Sequence, residues 1–271
     1  MARHEIATGI HHAPVMVFPQ GVFSEAAMSA LGNTGLIAAV SNDTISVDPH
    51  PRAIRISDVW DVAVMCYSNF PLFTRRYPWE GVENFAFDIL LGKPCLIVIH
   101  HDFCRKGYQP LVDFIGRVNA LKCSLSWRSL GEVVRRSCRQ KGLSPDTVEV
   151  RMYGTELRVT NHSGLPQRFL ISRPESASAS LKEVTTGSRP LKWKSSAGLV
   201  HFEIELNPGQ DQTVSVVSHD LIGTVQNGES LAYQASIMLR RYLSEARDNY
   251  VMKCHKRWSI DGKRQQTEVR D

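Results

Sequence analysis

The sequence Lys93-Pro94-Cys95-Leu96-Ile97-Val98-Ile99-His100-His101-Asp102-Phe103 joins a short apolar run to three polar residues. Apolar residues at successive positions 95–99 would cover both faces of a strand, as in a strand buried inside an α/β fold. In such folds, chemistry is placed at the carboxyl ends of the strands. A histidine there titrates near neutral pH, and an adjacent carboxylate orients it. We therefore take His101 and Asp102 as candidate catalytic residues; the alternative is a strand that simply ends in polar residues.

The first half of the chain alternates between strand and helix patterns. Residues 15–18 predict a short strand, and Ser24 is a suitable N-cap for a helix that stops near Gly32. A second strand is predicted at 35–40. The helical spacing of apolar residues predicts further helices at 80–91, 108–121 and 130–140. This order predicts an α/β layer with a mostly parallel sheet.

The pattern changes near Pro145. Between 148 and 218, apolar and polar residues alternate in short segments separated by turn sequences such as Asn207-Pro208-Gly209. Period-two alternation at this spacing is typical of an antiparallel β-sandwich. We therefore expect an α/β domain at 1–143, a β-sandwich at 146–222 and a C-terminal helix at 226–256, whose apolar face would pack on a domain or partner.

Composition narrows the class of protein. The 271 residues carry a formal net charge of only +5, and no basic surface interleaved with aromatics is visible, so nucleic acid is not an expected partner. Six cysteines form no Cys-x-x-Cys pair, which indicates reduced thiols rather than disulfides or a zinc site. No apolar segment follows Met1, and no apolar run is long enough to cross a membrane. We expect a cytoplasmic protein without membrane contact.

Two other predicted strand ends carry candidate substrate-binding residues. Pro19 and Gly21 fix a tight backbone that approaches a ligand closely, or else simply form a turn before a helix. Asp58 and Trp60 suit a sugar-binding wall, because tryptophan offers a flat apolar face and aspartate accepts hydrogen bonds from hydroxyls. The alternative for this second pair is a buried tryptophan beside a capping aspartate.

Three of these segments together resemble the C-terminal half of the polysaccharide deacetylases, the NodB-homology family. Within residues 13–140, Pro19 and Gly21 match the family's Arg-x-Pro-x-Gly strand end. Asp58 and Trp60 match its Asp/Trp element. His101 and Asp102 match its Leu-x-His-Asp strand end, with Ile99 in place of leucine. The resemblance implies a distorted (β/α) barrel that removes acetyl groups from sugars with a divalent metal, with His101 as the general acid.

The chain also departs from the family pattern. Val17 stands where the family has arginine, and the early Thr-Phe-Asp-Asp and His-Ser/Thr-x-x-His motifs, which supply the base and the metal ligands, are absent. We therefore expect a partial barrel-like layer that holds no metal or other cofactor and has no activity alone. Its inner surface would need cover from another chain.

These observations leave alternatives for function. The first is a deacetylase-like protein of carbohydrate metabolism, acting on acyl bonds of sugars, with a carbohydrate or acylated glycan as its partner. The second is a non-catalytic glycan-binding or assembly protein. In that case Trp193 is either a stacking platform or a strand residue packed on the sandwich. The third is a remnant with no site.

Overall fold

The structure is a computed structural model that describes residues 2–105, 107–121, 123–175 and 181–218, together with Leu239 and Tyr242. At residues 2–4, 101, 102, 182 and 218 it describes the backbone alone. The chain divides into two compact units, Met1–Leu221 and Ile222–Asp271. The helix predicted at 226–256 lies outside the described residues, except for Leu239 and Tyr242, which are helical. All elements named below belong to the first unit.

Three short strands form a parallel sheet in the first half of the chain: β1 (Val15–Val17), β2 (Ala38–Ser41) and β3 (Leu72–Thr74). Their order across the sheet is the same as their order in the sequence. Helix α2 (Glu25–Leu31) connects β1 to β2, and helix α3 (Ile56–Trp60) lies between β2 and β3. We call this region, together with the helices that follow it, the parallel layer. The α/β prediction is confirmed at this level.

Local signals in the sequence placed several helices correctly. The Ser24 hydroxyl accepts a hydrogen bond from the Ala27 backbone N–H at 3.1 Å, so Ser24 caps α2 as predicted. The remaining described helices are α1 (Ala2–Thr8), α4 (Val82–Leu90), α5 (Gln109–Asn119) and α6 (Leu130–Arg136). Short 3-10 turns lie at Pro19–Gly21, Pro78–Glu80 and His101–Cys104.

The prediction of a full strand at 95–99 is wrong, because only one residue of this segment pairs with a neighbouring strand. Ile97 alone forms a parallel bridge with Arg76, through hydrogen bonds from Arg76 N to Leu96 O (2.9 Å) and from Val98 N to Arg76 O (3.0 Å). Leu96 and Val98 are buried while Ile99 is exposed, so the apolar run is covered better on one face than on the other. Because Arg76 follows β3, this segment extends the sequential parallel order by one position.

The predicted helix at 130–140 is also corrected at its end. Helix α6 stops at Arg136, and Cys138–Ser144 forms strand β4, which pairs antiparallel with β5 (Thr147–Met152). Backbone pairing with β5 therefore outweighs the weak helical pattern after Arg136. The spacing of apolar residues within this segment does not reveal that pairing. The predicted boundary near Pro145 falls at the turn of this hairpin.

Two sheets form the second half. Their strands, besides β4 and β5, are β6 (Glu156–Thr160), β7 (Gln167–Pro174), β8 (Leu181–Thr186), β9 (Arg189–Pro190), β10 (Trp193–Ser196), β11 (Leu199–Leu206) and β12 (Asp211–Ser218). One sheet has the order β10-β11-β7-β5-β4 and the other has the order β6-β12-β8-β9. Strands β5 and β7 run parallel, so the first sheet is mixed and the prediction of a purely antiparallel sandwich is corrected.

Both sheets contribute to one apolar core, so we call this region the sandwich. Phe169 and Ile171 of the five-stranded sheet pack in the same buried cluster as Leu157, Val184 and Val214 of the four-stranded sheet. Burial of alternate side chains from two sheets against each other is the main stabilising interaction of this architecture.

The parallel layer is covered on both faces by its own chain. One face packs against α2 and the loop that carries Tyr67, with Met28 and Phe70 in the cluster. The other face packs against Val134 of α6 and against Tyr153, which follows β5. Residues that flank the β4–β5 hairpin therefore cover this second face of the layer. The expected partner chain stays a prediction.

Candidate functional site

The carboxyl ends of the parallel strands meet at one edge of the layer. The Pro19–Gly21 turn follows β1, Asn42 follows β2, and residues 75–80 follow β3. His100 follows the segment that bridges to Arg76. We call this set of loops the carboxyl edge, the usual place for ligand sites in parallel α/β sheets.

Gly21 has a structural reason to be glycine. Its φ of +74° lies in the left-handed region, and a Cβ added there would lie 3.0 Å from the Cβ of Asn42. The Ser41 hydroxyl also donates a hydrogen bond of 2.7 Å to the Gly21 carbonyl. Residues Pro19–Gly21 therefore form a turn that packs tightly against the loop after β2. This geometry agrees with the second interpretation of these residues, a turn before a helix. Its place at the carboxyl edge keeps it beside the candidate site.

Arg75 joins the first three loops. Its Nε donates to Asn42 Oδ1 at 2.8 Å, and its Nη2 donates to the Phe18 carbonyl at 3.0 Å. Both acceptors are neutral, so no carboxylate balances the guanidinium charge in these contacts. Burial lowers the pKa of Arg75, yet an arginine remains charged at neutral pH. Sequence reasoning missed Arg75, and only its position directly after a strand hinted at it.

Four rings form a partly exposed cluster at the same edge, which we call the aromatic platform: Tyr77, Trp79, His100 and Phe103. The rings of Tyr77 and Trp79 are stacked, with centroids 4.1 Å apart and planes 15° apart. The Tyr77 hydroxyl hydrogen-bonds His100 Nε2 at 3.2 Å, and the Phe103 ring lies 6.1 Å from that of Trp79. Trp79 is 60% exposed, so the stacked pair presents an open aromatic surface beside an imidazole. The sequence signal was the run Tyr77-Pro78-Trp79 after a strand.

A cavity of about 750 Å³ lies under this edge. Its wall is largely apolar and includes Val17, Val40, Ile97 and Ile99 from the strands and the bridging segment, with Leu130 of α6. The charged residues on the wall, within the part of the chain that the structure describes, are all basic: Arg75, Lys93, Arg128 and Arg136. The cavity volume is typical of a pocket for a small ligand.

Asp58 and Trp60 do not join this site. Asp58 Oδ2 accepts a hydrogen bond from the Arg55 backbone N–H at 3.1 Å, so Asp58 caps α3. Trp60 is 54% exposed rather than buried, and its carbonyl accepts a hydrogen bond from Arg139 of β4. Among the described residues, neither side chain has a hydrogen bond, ion pair or ring contact with the Pro19–Gly21 turn or with His100.

His101 and Asp102 lie at the start of the 3-10 turn His101–Cys104, directly after His100. Their backbone therefore sits at the carboxyl edge, but their side chains lie outside what the structure describes. Across the described residues, no group of three or more His, Cys, Asp and Glu side chains could hold a metal ion. The described side chains thus do not fit the divalent metal that the resemblance implies.

Trp193 has a structural role in the sandwich. It is half-buried, lies on β10 opposite Phe202 of β11, and packs against the sandwich core. This packing favours the interpretation of Trp193 as a strand residue over that of an exposed stacking platform.

Comparison with known proteins gives no family for the chain. No protein-family model, curated protein or solved structure matches it. No helix of the described residues is long and apolar enough to span a bilayer.

Proposed function

We propose that this chain is a polysaccharide-deacetylase-like protein of carbohydrate metabolism that binds an acylated glycan at its carboxyl edge and does not hydrolyse it alone. The aromatic platform carries the proposal. Exposed stacked rings beside polar groups suit a sugar, because ring faces contact its C–H surface while hydroxyls hydrogen-bond at the rim. The His100 imidazole and the Tyr77 hydroxyl supply such polar groups.

The order of the parallel elements supports the same family type. Strands β1, β2 and β3 and the bridging segment at Ile97 follow one another in sequence and in space, with α2, α3 and α4 between them. A partial (β/α) barrel would have this order. The barrel interpretation remains part of the proposal.

Catalysis by the chain alone has less support. The family's general acid would be His101, and Asp102 would orient it, but the described residues offer no ligand set for the divalent metal that activates water in that family. We therefore derive no hydrolytic step. The second candidate function is a deacetylase that becomes active when another chain completes the site. The imidazole-bearing platform favours this candidate over a remnant with no site.

The first test is glycan binding measured by calorimetry with N-acetylglucosamine oligomers. Trp79→Ala removes the larger exposed ring of the stack, and we expect it to weaken binding about tenfold or more, as for other central aromatic anchors. Trp60→Ala is the matched control, because Trp60 is similarly exposed at 54% but lies on α3 away from the platform. Its affinity should equal that of the unmodified chain.

Two outcomes would overturn parts of the proposal. If both tryptophan variants lose affinity equally, or if only Trp60→Ala loses it, the sugar would instead bind at Asp58 and Trp60. If the chain binds none of the oligomers, the proposal that the aromatic platform binds a glycan is wrong. Acetate release by the purified chain that disappears in His101→Ala would contradict the expectation that it does not hydrolyse alone.

A further inference from the structure

The cavity under the carboxyl edge is lined by apolar side chains from several elements of the parallel layer. Ile89 of α4 and Val118 of α5 contribute to its wall together with the ends of the strands. Val17 and Ile99 also line it and keep 41% and 36% of their surface exposed, although Val17 pairs with the buried Val40 of β2. Covering exposed aliphatic surface of this kind with an apolar ligand is favourable.

Two thiols add to the apolar character of the wall. Cys95 and Cys138 both line the cavity. Burial raises the pKa of Cys95 to about 11 and also raises the pKa of Cys138, so both thiols are uncharged at neutral pH. An uncharged, buried cysteine behaves as a small apolar side chain.

Two of the basic residues on the wall, Arg75 and Lys93, are engaged by different neighbours. Arg75 donates hydrogen bonds of 2.8 and 3.0 Å to the loops after β2 and β1. The carboxylates of Asp88 and Asp61 attract the Lys93 ammonium electrostatically. The two cations share no partner in these interactions, so they offer no joint site to an anion.

The other two basic residues of the wall likewise do not require an anionic ligand. Arg136 is paired with Glu132, with Nε 3.3 Å from Oε2, and it donates to the Thr160 hydroxyl at 3.3 Å. Arg128 is exposed to solvent. A charged group inside the cavity would lose water without gaining a fixed counter-charge, and this desolvation is costly. The wall therefore favours an uncharged ligand.

We propose that this cavity binds an uncharged small molecule with a hydrocarbon chain, of the class of the long-chain alcohols. The chain lies against the aliphatic wall, and burial of apolar surface supplies the affinity. A volume of about 750 Å³ is within the range of small-ligand pockets. The four rings of the aromatic platform, all of them described, are not part of this wall, so the proposal does not depend on glycan binding. No covalent step is involved.

The first test titrates the full, unmodified chain calorimetrically with 1-hexanol, 1-octanol and 1-decanol, each below its aggregation limit. We expect saturable binding to one site, with an affinity that rises about fourfold for each added methylene group as more of the chain is buried. No saturable binding, or an affinity that does not depend on chain length, would overturn the proposal.

The charge of the ligand is tested with octanoate and octyltrimethylammonium, which share the alkyl chain of 1-octanol. Each should bind about tenfold or more weakly than 1-octanol, because a charged head group is desolvated without a counter-charge. Equal or tighter binding of either ion would contradict the assignment of an uncharged ligand.

Variants then locate the bound chain. Val17→Asp places a carboxylate on the wall and should weaken 1-octanol binding about tenfold or more. The matched control is Val217→Asp, since Val217 is also a strand valine and is 44% exposed, but it lies on β12 of the sandwich. Equal affinities in the two variants would contradict the location.

Far-UV circular dichroism shows whether each variant is folded. If Val17→Asp does not fold, the chain-length series and the charged ligands on the unmodified chain still decide. Trp79→Ala should leave 1-octanol affinity unchanged while it weakens glycan binding, so failure of one proposal is distinguishable from failure of the other.

Discussion

The sandwich and the parallel layer differ in how completely they bury their apolar side chains. In the sandwich, β7, β11 and β12 each run for eight residues, and along β11 alternate side chains are buried. In the parallel layer, β1 to β3 have three or four residues, and large side chains such as Trp79 and Leu90 remain exposed. Long regular strands give a closed core, whereas short strands with long loops leave side chains available for binding. The candidate sites accordingly lie in the layer.

Contacts between the two regions nevertheless join them into one unit. Arg173 of β7 is buried and donates to the carbonyl of Asn69, in the loop before β3, at 2.8 Å. The same guanidinium pairs with the buried carboxylate of Glu175, which accepts a hydrogen bond from Asn69 Nδ2 at 2.8 Å. The difference between the two regions therefore concerns their exposed surface and not independent folding.

The largest effect is expected from Arg173→Met. Removal of one partner leaves the buried Glu175 carboxylate uncompensated and breaks the link to Asn69, so the free energy of unfolding should fall by about 3–5 kcal/mol. Urea unfolding followed by tryptophan fluorescence and by far-UV circular dichroism measures it. The two transitions should coincide in the unmodified chain, because the regions unfold together.

The matched control for that experiment is Arg158→Met. Arg158 pairs with Asp211 at 2.7 Å and with Glu132 at 3.3 Å, but all three side chains are partly exposed to solvent, so its replacement should change stability far less. Similar losses in the two variants would mean that the buried Arg173–Glu175 pair contributes no more than a partly exposed one. Separate transitions in the unmodified chain would show that the sandwich and the parallel layer are not one cooperative unit.

A smaller loss is expected from Tyr153→Phe. Tyr153 is fully buried after β5, and its hydroxyl donates to Asp61, which also pairs with Arg139 and Arg151 at 3.4 and 3.2 Å. Burial and the nearby Asp61 charge raise the pKa of Tyr153, so the phenol remains a donor across the neutral range. Loss of one hydrogen bond to a charged group should cost about 1.5–3 kcal/mol in thermal or urea unfolding.

Tyr108→Phe serves as the control for this change, since Tyr108 is 72% exposed. If Tyr153→Phe behaves like Tyr108→Phe, the buried hydroxyl does not help to hold the two regions together.

The smallest effect, and one of opposite sign, is expected from Lys93→Met. Burial lowers the pKa of Lys93 in the folded protein, so at neutral pH the folded state carries an ammonium that is costly to desolvate. As pH rises through the lowered pKa toward the unfolded value of about 10.4, the folded state loses its proton first and the penalty declines. Lys93→Met should therefore stabilise the protein at pH 7, with a gain that shrinks toward alkaline pH.

Unfolding titrations at a series of pH values between neutrality and pH 10 test this, with Lys141→Met as the exposed control. A gain that stays constant or grows with pH would mean that Lys93 is not held unpaired in the folded protein.

Part of the fold could be predicted because the deciding signals are local. Ser24 marks the start of α2 through its own side chain, and the alternation in β11 follows from the strand repeat of two residues. The end of α6 could not be predicted in this way, because β4 forms by pairing with β5. For the same reason, residues 95–99 had the composition of a strand but pair at one residue only.

The candidate site shows the same division. The sequence indicated the carboxyl edge through Pro19, Gly21 and His101, because polar or turn residues directly follow apolar runs. The sequence also predicted that Asp58 and Trp60 bind substrate together with Pro19 and Gly21. In the structure, no hydrogen bond, ion pair or ring contact joins these two pairs of residues. Arg75 and Trp79 were missed, because a single arginine or tryptophan becomes meaningful only when its neighbours in space are known.

The sequence by itself determined the class of each half of the chain: an α/β layer first, then β-rich segments with buried alternate side chains. Those features depend on repeat length and capping within a few residues. The tertiary structure alone decided which side chains share a site. It stacked Tyr77 on Trp79 beside His100, placed Arg75 against Asn42 and Phe18, and lined one cavity with basic groups. Such groupings arise from contacts between distant segments, whose positions are fixed by packing of the whole unit rather than by local sequence.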